Sequence, residues 1–356
     1  VAVKNGWTSI PQKDRWESRP TAMYGGVAIF GAFVAGATVL EIRPGYHAQY
    51  DVLGLAVGGA LIFAVGLWDD IHALNPLVKL CGQMFAITPF LVGGLLTYRP
   101  PDANEFIFGL PITLFWMLAL TNAFNLLDNM DGLCAGAAAI VAVSLAGCAF
   151  FGTPPAPLAA TLMCLVAACA LGFLVFNFRR KGRALIFMGD CGSMFLGYML
   201  AGLTIVGVFR CAPDRLTAAA VPLLIMSLPI FDTTLVIIMR KREKRSISQG
   251  GRDHSSHRLV YAGLSDKRAV VALLAVCAVN GALAVLLMAL PQPALAVLAV
   301  LVVTAVMAGL GAYLGRQSEP EPDPEEEELM RLNRVMAQHP TNGDVKHESH
   351  ARGARR

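Results

Sequence analysis

Residues 132–178 contain no Asp, Glu, Lys or Arg, and neither do residues 269–315. About 20 apolar residues suffice to cross a bilayer as a helix, so each run is long enough for two crossings. A soluble domain carries about 25% charged residues. This 356-residue chain carries 15%, against 55% hydrophobic, and its mean hydropathy is +0.56. The apolar residues form long blocks instead of the roughly ten-residue alternating segments of a membrane β-barrel. The sequence therefore predicts an all-α, polytopic membrane helix bundle.

Ten spans are predicted, at 22–40, 52–67, 80–97, 106–121, 133–151, 158–176, 191–209, 217–239, 269–290 and 294–315. The run 132–178 is divided at GTPPAP, and 269–315 at PQP, because proline ends helices. Eight cysteines lie mostly within spans and form no CxxC pair, which reads as small core residues. Residues 1–20 are too polar for a signal peptide. Since the sequence opens on Val1, a further upstream segment is expected. The predicted organisation is a cytoplasmic lead-in loop at 1–21, a transmembrane catalytic domain at 22–315 and an acidic tail at 316–356. The tail, which includes EPEPDPEEEE, is expected to be disordered or marginally helical.

Alternating the loops between two sides puts 25 of the 29 Lys and Arg residues on the side of the N-terminal loop. Only Arg43, Arg99, Arg210 and Arg215 fall opposite. Positive charge marks the cytoplasmic side. The same parity sends the four polar clusters GLWDDIHALNPLVK, TNAFNLLDNMDGL, FNFRRKGRALIFMGDCGS and GGRDHSSHRL to that one face. Ionisable residues at a membrane boundary are functional candidates.

Asp69 and Asp70 are adjacent carboxylates at a span end, which call for a cation, a nearby base or headgroup water. Lys79 follows in NPLVKLCGQ, where an ammonium suits a phosphate. On a helix Asn122, Asn125 and Asp128 form one stripe, continued by Asp131. Hard oxygen ligands so aligned suit Mg²⁺ or the polar edge of a nucleotide, with a polar seam between helices as the alternative. Asp190 lies between glycines just before a span, where backbone and a helix N-terminus favour phosphate; a simple N-cap is the alternative. Phe187 suits either stacking on a base or anchoring at the interface. His254, His257 and Arg258 are donors spaced for one face, in the most basic stretch of the chain, and together suggest a pyrophosphate clamp. Asp232, about 12 Å deep on its helix relative to Arg240, suits pairing between helices or a cavity near the site.

Taken in order, these motifs make the chain resemble the polyprenyl-phosphate N-acetylhexosamine-1-phosphate transferases, glycosyltransferase family 4, over most of residues 10–265. RPTAMYGG resembles the family's lead-in loop. DDIHALNPLVKLCGQ is similar to its DDxxxLxPxxKLxGQ segment, NAFNLLDNMDGL to NxxNxxDGxDG, FMGDCGS to GDxGS, and HSSHRL to its histidine loop. Two departures stand out. Asn129 replaces a usual Gly, and HSSHR replaces a tighter histidine cluster associated with sugar recognition. The pattern lies nearer the WecA/TagO-like branch than the phospho-MurNAc-pentapeptide transferases. Members of that branch have eleven helices, one of them before the lead-in loop.

The resemblance implies transfer of N-acetylhexosamine-1-phosphate, GlcNAc-1-phosphate first among them, from a UDP-N-acetylhexosamine to undecaprenyl phosphate. UMP would leave, on the cytoplasmic face of a bacterial inner membrane. It implies Mg²⁺, or Mn²⁺ in its place, on Asn125 and Asp190. Asp69 and Asp70 would orient or deprotonate the lipid phosphate. Lys79, His257 and Arg258, with His254 beside them, would hold the diphosphate. Asp131 would read uracil with Phe187 stacked on it, and Asp128 and Asn122 would shape the site. No nucleic-acid partner is implied, membrane lipid surrounds the bundle, and homodimerisation is left open. A secondary transporter would instead show paired repeats and midplane breaks. A CDP-alcohol phosphotransferase would need Ala-Arg soon after Asp-Gly, where this chain has LCAG after Asp131-Gly132.

Overall fold

A computed structural model describes residues 21–41, 50–97, 103–179, 184–247 and 250–317. Most of the lead-in loop and the tail from 318 onward lie outside the described residues. The elements are all helical: α1 (Gly25–Glu41), α2 (Tyr50–His72), α3 (Pro76–Thr97), α4 (Ala103–Leu127), α5 (Leu133–Phe151), α6 (Pro157–Asn177), α7 (Gly189–Thr204), α8 (Arg215–Ile225), α9 (Ser227–Arg242), α10 (Ser255–Tyr261), α11 (Asp266–Ala289) and α12 (Pro293–Leu314). A π-type segment, Ile205–Phe209, extends α7. Among the described residues eight helices are long and apolar enough to cross a membrane. The bent pair α8–α9 makes nine if it is one span, and α1 is a shorter apolar helix. With no water in the hydrocarbon, the backbone must satisfy its own hydrogen bonds, and continuous helices do so.

Every predicted span falls on a helix, and the proline clusters separate α5 from α6 and α11 from α12 as expected. Two differences have physical causes. The helices at the polar face outrun the apolar spans: α2 continues through Asp69 and Asp70, and α4 through Asn122 and Asn125. Hydrogen bonds and ion pairs with neighbouring helices offset the cost of drawing those polar side chains into the bundle. The predicted span 217–239 is broken, with α8 and α9 meeting at 66°. Pro229, in the first turn of α9, has no N–H to offer the carbonyl four residues earlier. At the break Asn280 Nδ2, on α11, donates to Ser227 Oγ at 2.8 Å.

The bundle is built around α7, whose residues Cys191–Thr204 are all buried. It packs against α1, α2, α4, α5 and α6. In a membrane, close approach of backbones replaces hydrophobic collapse as the source of helix association, and small residues permit it. A Cβ on Gly26 of α1 would lie 2.3 Å from Gly192 N, and one on Gly66 of α2 would lie 2.6 Å from Cys191 Cα. The first turn of α7 is therefore gripped between two glycine faces. Lipid-facing helices differ: α12 leaves Leu301 and Val306 more than 60% exposed. At the far end of α2 the buried Asp51 pairs with Arg210.

These contacts make a testable asymmetry between glycines. Gly66→Ala should destabilise the protein by about 1–3 kcal/mol, the usual cost of overpacking, because the obstructing atoms are backbone. Gly94→Ala on α3, with nothing within 4 Å, should be neutral or slightly stabilising. Thermal unfolding of both variants in one detergent checks the contrast, and equal melting temperatures would refute it.

Candidate active site

Three helices deliver charge to one point. Lys79, near the start of α3, lies across the turn from the end of α2. Its Nζ pairs with Asp69 Oδ2 at 2.8 Å and donates to Asp190 Oδ2 at 2.5 Å and Asn125 Oδ1 at 3.1 Å. Asn125, on α4, returns its amide Nδ2 to Asp190 Oδ1 and to Ser193 Oγ, both at 3.0 Å. The Asp69 and Lys79 side chains are only 11% and 17% exposed, whereas Asp190 keeps 32% of its surface open. Asp69 also shapes the α2–α3 turn, because its Oδ1 accepts Leu74 N at 2.7 Å.

Asp70 points the other way, to the N-terminus of α7. Its Oδ1 accepts Asp190 N at 2.7 Å and its Oδ2 accepts Cys191 N at 3.0 Å. A helix N-terminus leaves orphan N–H groups that a carboxylate satisfies well. Asp70 thus caps α7 from a neighbouring helix. Asp190 itself is not a cap, and its carboxylate is left to the Lys79 cluster. Gly189 turns the chain at φ 75°, and a Cβ there would stand 2.7 Å from Asp70 Oδ2.

The predicted polar stripe ends earlier than expected. α4 stops at Leu127, so Asn122 and Asn125 are helical, while Asp128 and Asp131 lie in the turn that follows. Asn122 forms a reciprocal amide pair with Gln83 of α3, at 2.8 and 3.1 Å. Asp131 Oδ2 accepts Ala184 N at 3.0 Å, which joins the turn to the segment carrying Phe187. The main chain of Phe187 is held by the lead-in residues: its N–H donates to Ala22 O at 2.9 Å and its carbonyl accepts Gly25 N at 2.8 Å. The buried Asn177, which sequence reading passed over as the end of an apolar run, ties these parts together. Its Oδ1 accepts Gly132 N at 2.6 Å and its Nδ2 donates to Ile186 O at 3.0 Å.

The histidine loop hangs on buried carboxylates. Asp232, fully buried on α9, lies 2.8 Å from His254 Nδ1, and its Oδ1 accepts Ser255 N at 2.7 Å and Ser255 Oγ at 2.6 Å. The pairing reading of Asp232 is the one observed. Asp253 receives Arg240 Nε and a terminal nitrogen at 2.9 and 3.0 Å, and Arg245 at 2.9 Å. Burial pushes the Asp253 carboxyl up, but the Arg240 hydrogen bonds and charge outweigh it and hold it below the usual carboxylate range. Of the expected donor face of His254, His257 and Arg258, the structure brings the two histidines together and engages Arg258 elsewhere. Arg258 donates to the carbonyls of Leu314 at 3.2 Å and Gln317 at 2.6 Å, satisfying the C-terminal end of α12 instead of presenting its guanidinium beside the histidines. His254 and His257 do stay together, with ring centroids 5.7 Å apart. Burial, and then the adjacent His254, push the His257 imidazole down to about 4.

Asp69, Lys79, Asn125 and Asp190 therefore form one cluster, with Asp70 behind it. Asp131 is tied to the segment that carries Phe187, and His254 and His257 lie together at the start of α10. Among the described residues no three His, Cys, Asp or Glu side chains group as a metal cluster. The oxygens of Asp69, Asn125 and Asp190 instead converge on an ammonium.

The sequence profile described as Glycosyl transferase family 4 matches residues 52–208. A probable undecaprenyl-phosphate N-acetylglucosaminyl 1-phosphate transferase of Bacillus subtilis is 34% identical over 279 residues, 77% of this chain and 75% of the relative. A decaprenyl-phosphate N-acetylglucosaminephosphotransferase of Mycolicibacterium smegmatis is 30% identical, covering 76% of this chain and 73% of the relative. An undecaprenyl-phosphate alpha-N-acetylglucosaminyl 1-phosphate transferase of Escherichia coli is 25% identical, covering 80% and 78%.

The depressed His257 gives a signed pH prediction. An unfolded imidazole takes up its proton near 6.5, whereas the folded one does so only near 4. Unfolding therefore binds a proton in that window, and stability falls as pH drops from about 6.5 toward 4. His257→Gln should flatten this part of the melting-temperature curve. An unchanged slope would mean that His257 is not the titrating group.

Proposed function

This chain belongs to glycosyl transferase family 4, the polyprenyl-phosphate N-acetylhexosamine-1-phosphate transferases, and from that membership we propose the reaction it performs. It transfers N-acetylglucosamine-1-phosphate from UDP-N-acetylglucosamine to undecaprenyl phosphate and releases UMP. The site faces the cytoplasm, Mg²⁺ is the cofactor, and the product starts a lipid-linked envelope glycan. The protein is a multi-pass membrane phosphotransferase. The names of the relatives supply the acceptor and sugar classes, and the charge asymmetry of the loops supports the cytoplasmic face.

One observation carries the reading. Oxygens from three separate motifs, Asp69, Asn125 and Asp190, surround a single cation, Lys79 Nζ. These are hard oxygen donors of the kind Mg²⁺ takes, so the donor set fits the ion, with Lys79 the group that would give way. When bound, Mg²⁺ would neutralise the charge that builds on the diphosphate. In the transfer, a phosphate oxygen of the acceptor forms a bond to the β-phosphorus of the donor. The bond from that phosphorus to the bridging oxygen breaks, and UMP leaves with the bridging oxygen. Phosphoryl transfer asks the protein for positioning and charge stabilisation more than covalent help.

Lys79 supplies a mobile positive charge for the phosphates. Asp70 holds the first turn of α7, and so aims the Asp190 carboxylate. Asp131, with Phe187 on the segment tied to it, would read the uracil ring. His257, neutral at pH 7, contributes as a hydrogen-bonding group and not as a fixed cation. An acceptor phosphate is already largely ionised at pH 7, so none of these steps requires a strong base.

The test is UMP release in liposomes containing undecaprenyl phosphate. Release from UDP-N-acetylglucosamine should stop when Mg²⁺ is chelated and return when it is restored. Asp190→Asn should lower turnover at least about 100-fold, the scale for losing a central electrostatic group, without changing the melting temperature by more than a few degrees. Release from another UDP-sugar alone would reassign the donor, and no release from any would end the reading.

A further inference from the structure

Two residues from segments far apart in the chain, Asn129 and Ser256, touch each other beside the aspartate turn. Ser256 Oγ donates to Asn129 Oδ1 at 2.6 Å. Ser256 belongs to α10 and is fully buried, and Asn129 belongs to the turn between α4 and α5 that carries Asp128 and Asp131. The Asn129 amide is fixed from behind as well, because its Nδ2 donates to Leu126 O at 2.9 Å, in the last turn of α4. The serines of HSSH thus bond in opposite directions. Ser255 reaches back to Asp232 on α9, and Ser256 reaches across to the aspartate turn.

We propose that Asn129 and Ser256 are a positioning pair, a latch that sets the spacing between the aspartate turn and the histidine helix and thereby the fit of the sugar-nucleotide donor. The inference rests on the proposed reaction. A donor spanning both elements, nucleoside at the turn and diphosphate-sugar toward the histidines, needs them at one separation. Neither member of the pair can be glycine and keep this bond, and losing the Asn129 amide would leave the buried Ser256 hydroxyl without this partner. Because Asn129 is pinned at both ends of its amide, the latch transmits the position of α4 directly to α10. It also lies apart from the Lys79 cluster's own hydrogen bonds, so loosening it should alter donor binding more than the chemical step.

The experiment compares Ser256→Ala, Asn129→Ala and the double variant in the liposome assay. Each single change should raise the KM for the UDP-sugar about 5- to 10-fold, the scale of one buried hydrogen bond, with kcat and the KM for the polyprenyl phosphate changed less than about 2-fold. The double variant should be no worse than the weaker single one, since both remove the same bond. Ser256→Ala removes the bond with the least disturbance, so it carries the test if Asn129→Ala folds poorly. Additive effects, or a loss confined to kcat, would overturn the proposal. Hydrogen exchange without substrate separates this outcome from failure of the reaction itself. Ser256→Ala should speed exchange of the α10 amides, 255–261, even if no UDP-sugar proves to be a donor. Unchanged exchange there would also overturn the latch.

Discussion

The Lys79 ammonium, held among Asp69, Asn125 and Asp190, is the interaction on which the polar face depends. Carboxylates at the end of a membrane helix are costly unless paired, and here one cation serves two of them. The third, Asp70, is satisfied by main-chain N–H groups at the start of α7. Together these contacts tie α2, α3, α4 and α7 at one end of the bundle. The glycines of α1 and α2 that grip the same first turn complete the arrangement from the apolar side. The polar cluster and the glycine packing meet in one stretch, Asp190 to Gly192, the first through the Asp190 side chain and the second through the backbone of Cys191 and Gly192.

Much of the fold was legible before any coordinates, because hydrocarbon imposes a simple rule on sequence. A span must be long, apolar and bounded by charge, so 132–178 and 269–315 could be divided at their prolines, and each predicted stretch falls on helix. The ends of the helices were not legible. Hydropathy stops at the last apolar residue, whereas α2 and α4 run on through Asp70 and Asn125 because partners from other helices satisfy those side chains. The break between α8 and α9 was missed for a related reason: the proline that causes it, Pro229, lies inside an unbroken apolar stretch.

The site was legible in its membership more than in its wiring. Asp69, Lys79, Asn125 and Asp190 were selected individually and are found together. Sequence spacing could not show that Asp70 turns away to cap a helix, or that Arg258 is taken up by the carbonyls of α12. Both are contacts between segments far apart in the chain, with no local pattern to mark them. Asn177 gave one signal, an amide closing an apolar run just before FRRKGR, yet only its partners on Gly132 and Ile186 reveal what it does. In the histidine loop the spacing of His254 and His257 was legible and the two rings lie together, whereas the partners of Ser255, Ser256 and Arg258 on α9, the aspartate turn and α12 were not.

A ribosome delivers Asp70 about 120 residues before the N–H groups that cap α7. Asp69, by contrast, meets Lys79 within the same hairpin of α2 and α3. When that hairpin enters the bilayer it brings its own counter-ion for one carboxylate, which lowers the cost of insertion, while the other still relies on boundary water. Arrival of α7 takes that water's place. The corner around Asp69 and Asp70 is therefore complete only once residues 190 and 191 have been made, so the two adjacent carboxylates are satisfied at different times as well as by different partners.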